Sequence, residues 1–298
     1  MNLALCMYRR WLFLGLLLSF PLGLAALLQG CGSTTPPPKT AESLKIQWVK
    51  VAGGDFLMGS SGGDVEEDEK PQHRVQLSSF WMSATEVTNA QYDMFLAAME
   101  VEGGQVWEAV KESGSRNPGL DDALKGADQP VAMVSYGDAQ AFCRWLGHSV
   151  ALPTEAQWEY ACRAGSSTRY GFGDELAPDQ ANIDGSIWRE DGADVGGRAR
   201  AVAQYRANAF GLYDMHGNVW EWCADWYDDG YYQTCMGRGT EGRRGTDPAG
   251  PAAGAIRVLR GGSWGGYAEY CRAANRLGDS AWLRYEDVGF RLVAPVAP

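Results

Sequence analysis

The residues of this chain whose types and spacing could do chemistry are a dense run of oxygen donors, five cysteines downstream of residue 31 and three histidines. The run Tyr213-Asp214-Met215-His216-Gly217-Asn218-Val219-Trp220-Glu221-Trp222 puts two carboxylates and several carbonyls within eight positions, on a segment too glycine-rich for a regular helix. Ca²⁺ takes about six to eight oxygen ligands, so carbonyls would supplement the acids. The competing reading is a hydrogen-bonded turn with Glu221 in a salt bridge. The thiols Cys143, Cys162, Cys223, Cys235 and Cys271 make no Cys-x-x-Cys metal site, and their odd number leaves at least one unpaired even where disulfides form. Cys143, within Ala139 to Leu146, reads as a small buried apolar residue. His73, His148 and His216 suggest no iron site of two histidines and a carboxylate. No Ser-His-Asp arrangement is identifiable, and the glycine runs lack the Gly-Lys-Ser ending of a phosphate loop.

Elements that must position these groups are also legible. Ile46 to Met58 alternates in short runs broken at Gly53-Gly54 and predicts a hairpin, and Val75 to Met82 predicts another strand. Asp64 to Glu69 is an acidic, solvated loop. Thr88 with Gln91 forms a capping box, followed by Tyr92, Phe95, Leu96 and Met99 at helical spacing. Gly103 to Gln129 lacks clear periodicity and reads as an insertion or long loop, with a short helix around Val106 to Lys111. Ser135 caps a second helix through Leu146, and Thr154 with Gln157 starts a third. From Gly165 onward, Gly, Asn, Asp and Trp punctuation predicts loops with short strands. The 38 glycines and 12 tryptophans fit irregular loops pinned by aromatic anchors. The expected fold class is α+β, loop-rich.

The N-terminus reads as an address. Arg9 and Arg10 precede an uncharged run from Trp11 to Leu28, then Gln29-Gly30-Cys31 and a Ser-Thr-Pro-rich stretch. This resembles a bacterial lipobox, with Cys31 lipidated; a single transmembrane anchor is the alternative, since roughly 18 apolar residues can just span a bilayer. The expected organisation is a signal peptide over residues 1–30, a lipidated cysteine and tether over 31–44, and one domain over 45–296. The membrane is thus an expected partner through the lipid, and the domain sits outside the cytoplasm in a cell envelope. Gly32, where inner-membrane retention would favour aspartate, leans towards the outer membrane. With 26 Lys plus Arg against 37 Asp plus Glu, the net charge of −11 argues against nucleic acid.

Several segments are too specific for propensity to explain: VAGGDFLMG from Val51, Glu86-Val87-Thr88-Asn89, Pro130-Val131 with Val134-Ser135, LPTEAQWEYACRAG from Leu152, NAFGLYDMHGNVWEW from Asn208, RGGSW from Arg260 and VGFRLV from Val288. In order over residues 48 to 293, they resemble the formylglycine-generating enzyme, or sulfatase-modifying factor, family. That resemblance implies a single domain of C-type-lectin-like topology with bound calcium. It implies one calcium on the side chains of Asp214 and Glu221 and the carbonyls of Gly217 and Val219. A second would use Asn182, Ile183 and a downstream acid, Asp191 or Asp194, of which Asp194 better fits the spacing.

The family's oxidases hold Cu(I) between two cysteines in the pattern Gly-Gly-Ser, two residues, Cys, four residues, Cys; two soft thiolates suit that metal. Here Gly261-Gly262-Ser263-Trp264-Gly265-Gly266 puts Gly266 at the first cysteine position and leaves only Cys271 at the second. Copper is therefore not expected. Cys271 also registers on a structural position further along, where the resemblance implies a disulfide with Cys162; Cys223 and Cys235 would be a second pair. Ser263 and Trp220 match residues near the family's oxygen and substrate site, and can equally be a turn serine and a core indole. The expected function is a calcium-binding envelope lipoprotein that binds or scaffolds an exported protein or peptide. The rival is an oxidase of sulfatase cysteines, or another modifying enzyme of exported substrates.

Overall fold

The computed structural model describes residues 43–63, 65–113, 121–147, 149–177, 179–183, 197–236 and 245–296. The expected signal peptide, Cys31, most of the tether, His148, Asp191 and Asp194 lie outside the described residues. Among those described, no helix is long and apolar enough to cross a membrane.

Strands β1 (Trp48–Val51), β2 (Gly54–Met58), β3 (His73–Leu77) and β4 (Phe80–Ser83) come first. Ile46 to Met58 does not fold back on itself as expected. β1 pairs antiparallel with β4 and β2 with β3, in one register on both sides of the break, Val51 facing Phe80 and Gly54 facing Leu77. The hairpin is therefore a longer ribbon whose halves belong to two sheets. It bends at Gly53, where a Cβ would lie 2.7 Å from Ser79 N, so only glycine permits the close backbone approach. Alternation in β3 buries His73, Val75 and Leu77 and exposes Arg74 and Gln76.

Helix α1 (Asn89–Glu102) begins at the expected capping box of Thr88 and Gln91, and buries Tyr92, Phe95 and Met99. α2 (Gly104–Ser113) follows where a shorter helix was expected. α3 (Tyr136–Leu146) starts at Ser135, whose hydroxyl accepts from Asp138 N. Phe142 of α3 stacks on Tyr92 at 5.8 Å and meets Phe290 edge-on at 5.5 Å, forming the aromatic centre of one core cluster. α4 (Glu155–Arg163) carries the third capping box, Thr154 with Gln157.

The C-terminal half contains short elements joined by turns: β5 (Trp220–Trp226), α5 (Tyr231–Met236), β6 (Gly245–Thr246), β7 (Arg257–Arg260), β8 (Leu277–Asp279), β9 (Val288–Gly289) and β10 (Val293–Pro295). The sheets are β1-β4-β10, β2-β3-β6 and β8-β7-β5-β9. The fold is α+β and loop-rich.

Charged residues of α4 do not face solvent. Glu155, Glu159 and Arg163 are buried together with Arg260 and Arg276. Glu159 accepts from Gly59 N and Arg163 Nε on one oxygen and from Arg260 on the other. Arg276 grips Glu155 through two bonds of 2.6 and 3.0 Å. These pairs tie α4 to the strands and loops that carry the candidate site.

Candidate functional site

The turn before β5 is built on left-handed residues, Asp214 at φ 58° and Asn218 at φ 69°. Short polar side chains tolerate that conformation best after glycine. Gly217 has φ 141°, and a Cβ there would lie 2.8 Å from Ile183 Cγ2, so the turn seats directly on Asn182-Ile183. Asn218 is the hub. Its N–H donates to Asn182 O at 2.8 Å, and its side-chain oxygen accepts from Asn182 Nδ2 at 3.0 Å and Arg200 N at 2.9 Å. Its side-chain amide donates to Glu86 Oε1 at 3.1 Å.

Glu86 is the residue that sequence reasoning missed. It is 1% exposed, and its Oε2 has no hydrogen-bond donor. The Asp214 carboxyl lies within hydrogen-bonding reach of it, and Asp214 Oδ2 also accepts from Ala203 N at 2.7 Å. Burial, offset partly by that N–H, pushes the Asp214 carboxyl up to about 6. Burial and then repulsion from Asp214 hold Glu86 well above the usual carboxylate range. Two buried carboxyls facing each other must share a proton or hold a cation between them.

Glu221 is engaged elsewhere. Arg291 Nε and Nη2 reach its two oxygens at 2.6 and 2.7 Å, and Trp158 Nε1 adds a bond of 2.8 Å. Arg291 is fully buried and also donates to Tyr213 O at 2.9 Å. Glu221 is thus the acid of a salt bridge, the competing reading of the sequence. Among the described residues no three His, Cys, Asp or Glu side chains converge as a metal-binding group.

Ser263 and Trp220 do come together, through Asp287, another residue the sequence did not flag. Ser263 Oγ donates to Asp287 Oδ2 at 2.7 Å, and Trp220 N donates to Asp287 O at 2.7 Å. Gly266 N donates to Ser263 O, and a Cβ at Gly266 would meet nothing closer than 3.5 Å, so the first cysteine position has room and carries no side chain. Cys271 meets this group at the backbone, where Ser263 N donates to its sulfur. It is fully buried against Tyr170, Leu176, Ala181 and Ile183, and its sulfur packs into the space left by the absent Cβ of Gly262. Burial pushes its thiol well up, which keeps it protonated and a poor metal ligand or nucleophile.

Neither expected disulfide is formed: Cys143, Cys162, Cys223, Cys235 and Cys271 are all free thiols. His216 stands between Cys162 and Cys271, its Nε2 3.6 Å from Cys162 Sγ and its Nδ1 2.8 Å from Cys271 O. Gly171 N donates to Nε2 at 2.9 Å, which assigns the ring proton to Nδ1, and burial lowers the imidazole to about 4, so it is neutral. Cys223 is buried in β5, whereas Cys235 is half-buried on α5 with Sγ 3.6 Å from Tyr231 O. Cys143 is buried as expected, its thiol pushed up to about 12.

The profile of the sulfatase-modifying factor enzyme 1-like domain matches residues 33–296. The chain belongs to this family. It is 34% identical over 284 residues to the formylglycine-generating enzyme of Streptomyces coelicolor, covering 82% of this chain and 87% of that one. It is 34% identical over 256 residues to serine/threonine-protein kinase pkn1 of Chlamydia caviae, covering 84% of this chain and 38% of the kinase. Among solved structures, PvdO from Pseudomonas aeruginosa is similar with a TM-score of 0.67 and 28% identity, covering 89% of this chain and 98% of that one. The match to the sulfatase-modifying factor family spans the turn before β5, Ser263, Gly266 and Cys271 alike.

Proposed function

We propose that this sulfatase-modifying factor domain binds or scaffolds an exported protein or peptide at the cell envelope, anchored through lipidated Cys31, and does not oxidise sulfatase cysteines. The carrying observation is the state of the two cysteine positions: Gly266 offers no ligand, and the Cys271 thiol is sealed in an apolar cluster. A two-thiolate copper site cannot be assembled from them. Exposed aromatics near the same segments, Tyr267, Tyr270, Trp282 and Tyr285, support a recognition role, because large exposed rings are the usual anchors of binding surfaces. The test is mass spectrometry of a Cys-x-Pro-x-Arg peptide incubated with the protein, Cu(I), reductant and oxygen, beside an authentic oxidase. No loss of the thiol is expected; conversion to the aldehyde would restore the oxidase assignment. A second reading, a different modification of an exported substrate, draws on the retained Ser263, Asp287 and Trp220 group, and would show as another mass change on a bound substrate.

Calcium is the proposed cofactor. The donor chemistry fits: Glu86 and Asp214 present buried acid oxygens, one of them without a donor, beside the turn that carries the carbonyls of Gly217 and Val219. Bound there, Ca²⁺ would neutralise the acid pair and fix the turn on Asn182 and Ile183. Glu86 takes the place of Glu221, whose charge Arg291 already answers. Chelation is expected to lower the melting temperature by several degrees, and Glu86→Gln or Asp214→Asn to remove most of that shift. Equal melting with and without chelator would refute the site.

For the anchor, Cys31→Ser is expected to block lipid processing and move the domain out of the detergent-extracted membrane fraction. Normal processing and retention would point to a transmembrane segment.

A further inference from the structure

Apart from both groups described above, a cavity of about 100 Å³ is lined by residues of β2, β3, α4, β5, α5 and the loop after β6. Met58, Val75, Ala156, Tyr231 and Pro248 give it largely apolar walls, and Cys235 lines it as a half-buried thiol. One acid interrupts them. Asp225 is 3% exposed, and its Oδ2 accepts from Glu155 N at 2.8 Å. Its Oδ1 has no hydrogen-bond donor among the described residues, and no ion pair to Asp225 is formed among them.

Gly250 keeps that oxygen uncovered. It sits at φ 72°, and a Cβ there would lie 2.7 Å from Asp225 Oδ1. The neighbouring acid is already answered, since both oxygens of Glu155 are held by Arg276. His73, on β3, turns Nδ1 to Pro71 O at 3.0 Å and meets Tyr232 edge-on, and the alternation of β3 puts the Arg74 side chain on the outer face. Asp225 is thus a buried carboxylate whose Oδ1 has no donor, and which forms no ion pair, among the described residues. Burial, followed by repulsion from Glu155, pushes it up to about 7, although the charges of Arg276 and Arg260 pull it down.

Size and wall chemistry narrow the occupant. A water on Asp225 Oδ1 would leave the apolar walls of Met58, Val75 and Ala156 unfilled. An apolar cavity of about 150 Å³ holds benzene, so about 100 Å³ takes roughly four or five heavy atoms. Among the described residues no metal-binding group of side chains converges there. An anion is excluded by the carboxylate. What remains is a short aliphatic chain ending in a positive donor.

We infer that this cavity binds a primary alkylammonium group, with the ammonium on Asp225 Oδ1 and the methylenes against Met58, Val75, Ala156 and Tyr231. The chemistry is shared by a small free amine and by the end of a lysine side chain.

The test uses the purified protein with n-butylammonium and, as its neutral counterpart of equal size, n-butanol. Calorimetric titration is expected to give the ammonium an affinity about tenfold or more above the alcohol, the discrimination of one charge-assisted hydrogen bond. Asp225→Asn keeps an acceptor for Glu155 N and should erase the difference. As a readout that needs no variant, n-butylammonium should slow alkylation of Cys235 by iodoacetamide while n-butanol at the same concentration does not. Nα-acetyl-lysine amide separates the sources: binding beside n-butylammonium assigns a lysyl side chain, and its exclusion while n-butylammonium binds assigns a small amine. Equal binding of alcohol and ammonium, or no binding and no protection of Cys235 by either, would overturn the inference.

Discussion

Glu159→Ala is expected to cost about 5 kcal/mol or more of folding stability, enough to unfold many domains of ordinary stability. The glutamate is fully buried and serves three partners at once: Gly59 N at 2.9 Å, Arg163 Nε at 2.8 Å and Arg260. Removing it leaves an unpaired backbone N–H and two arginines with less compensation. Arg163 keeps bonds to Gly59 O and Thr168 O, but Arg260 is left with the Asn275 carbonyl and a longer approach of 3.6 Å to Glu155. Breaking one buried pair typically costs about 3–5 kcal/mol, because the orphaned charge stays in a low-dielectric interior. Urea unfolding would measure the loss. The control is Glu159→Met with Arg260→Met, which removes the acid and one of its cations together and should recover part of the stability if the orphaned charge is the cause. A single variant within about 1 kcal/mol of the parent would refute the account, since surface pairs cost no more than that.

Arg291→Met is expected to cost about 3–5 kcal/mol without calcium and distinctly less with it. The guanidinium acts on all three acids, lowering Glu86 and Asp214 and pairing with Glu221. Without it, Glu221 joins Glu86 and Asp214 as an unanswered carboxylate, and a divalent cation becomes the available counter-charge. Calcium that binds only the folded form stabilises by RT ln(1 + [L]/Kd), about 2.7 kcal/mol at a hundredfold excess over Kd. Melting curves of parent and variant, each with calcium and with chelator, give the comparison. A calcium effect no larger in the variant would mean that the three acids do not act on a shared ion.

Local signals in the sequence were reliable because they are closed within a few residues. Thr88 with Gln91, Ser135, and Thr154 with Gln157 each mark a helix start by satisfying its own first N–H groups. Elements whose partners are distant in the chain were not legible. Glu159 and Arg260 are 101 positions apart, and Glu86 meets Asn218 across 132. No periodicity encodes such pairs, and α4 read alone offers its glutamates as a polar face. The same limit explains the hairpin: the Gly53-Gly54 break was visible, but that it bends a ribbon between two sheets depends on Leu77 to Ser79. For the cysteines, family register suggested Cys162 with Cys271, while the His216 imidazole that touches the Cys162 sulfur and the Cys271 carbonyl comes from a third segment.

Both outer strands of the first sheet have a meaning for architecture beyond this chain. β1 and β10 flank β4, with Trp48 opposite Ser83 and Pro295 opposite Phe80. Two inter-strand spacings across and three residues along put the points of arrival and departure roughly 14 Å apart. A host polypeptide could interrupt itself there and resume with little rearrangement, since closing so small a gap costs little chain entropy. The domain is in this sense a cassette.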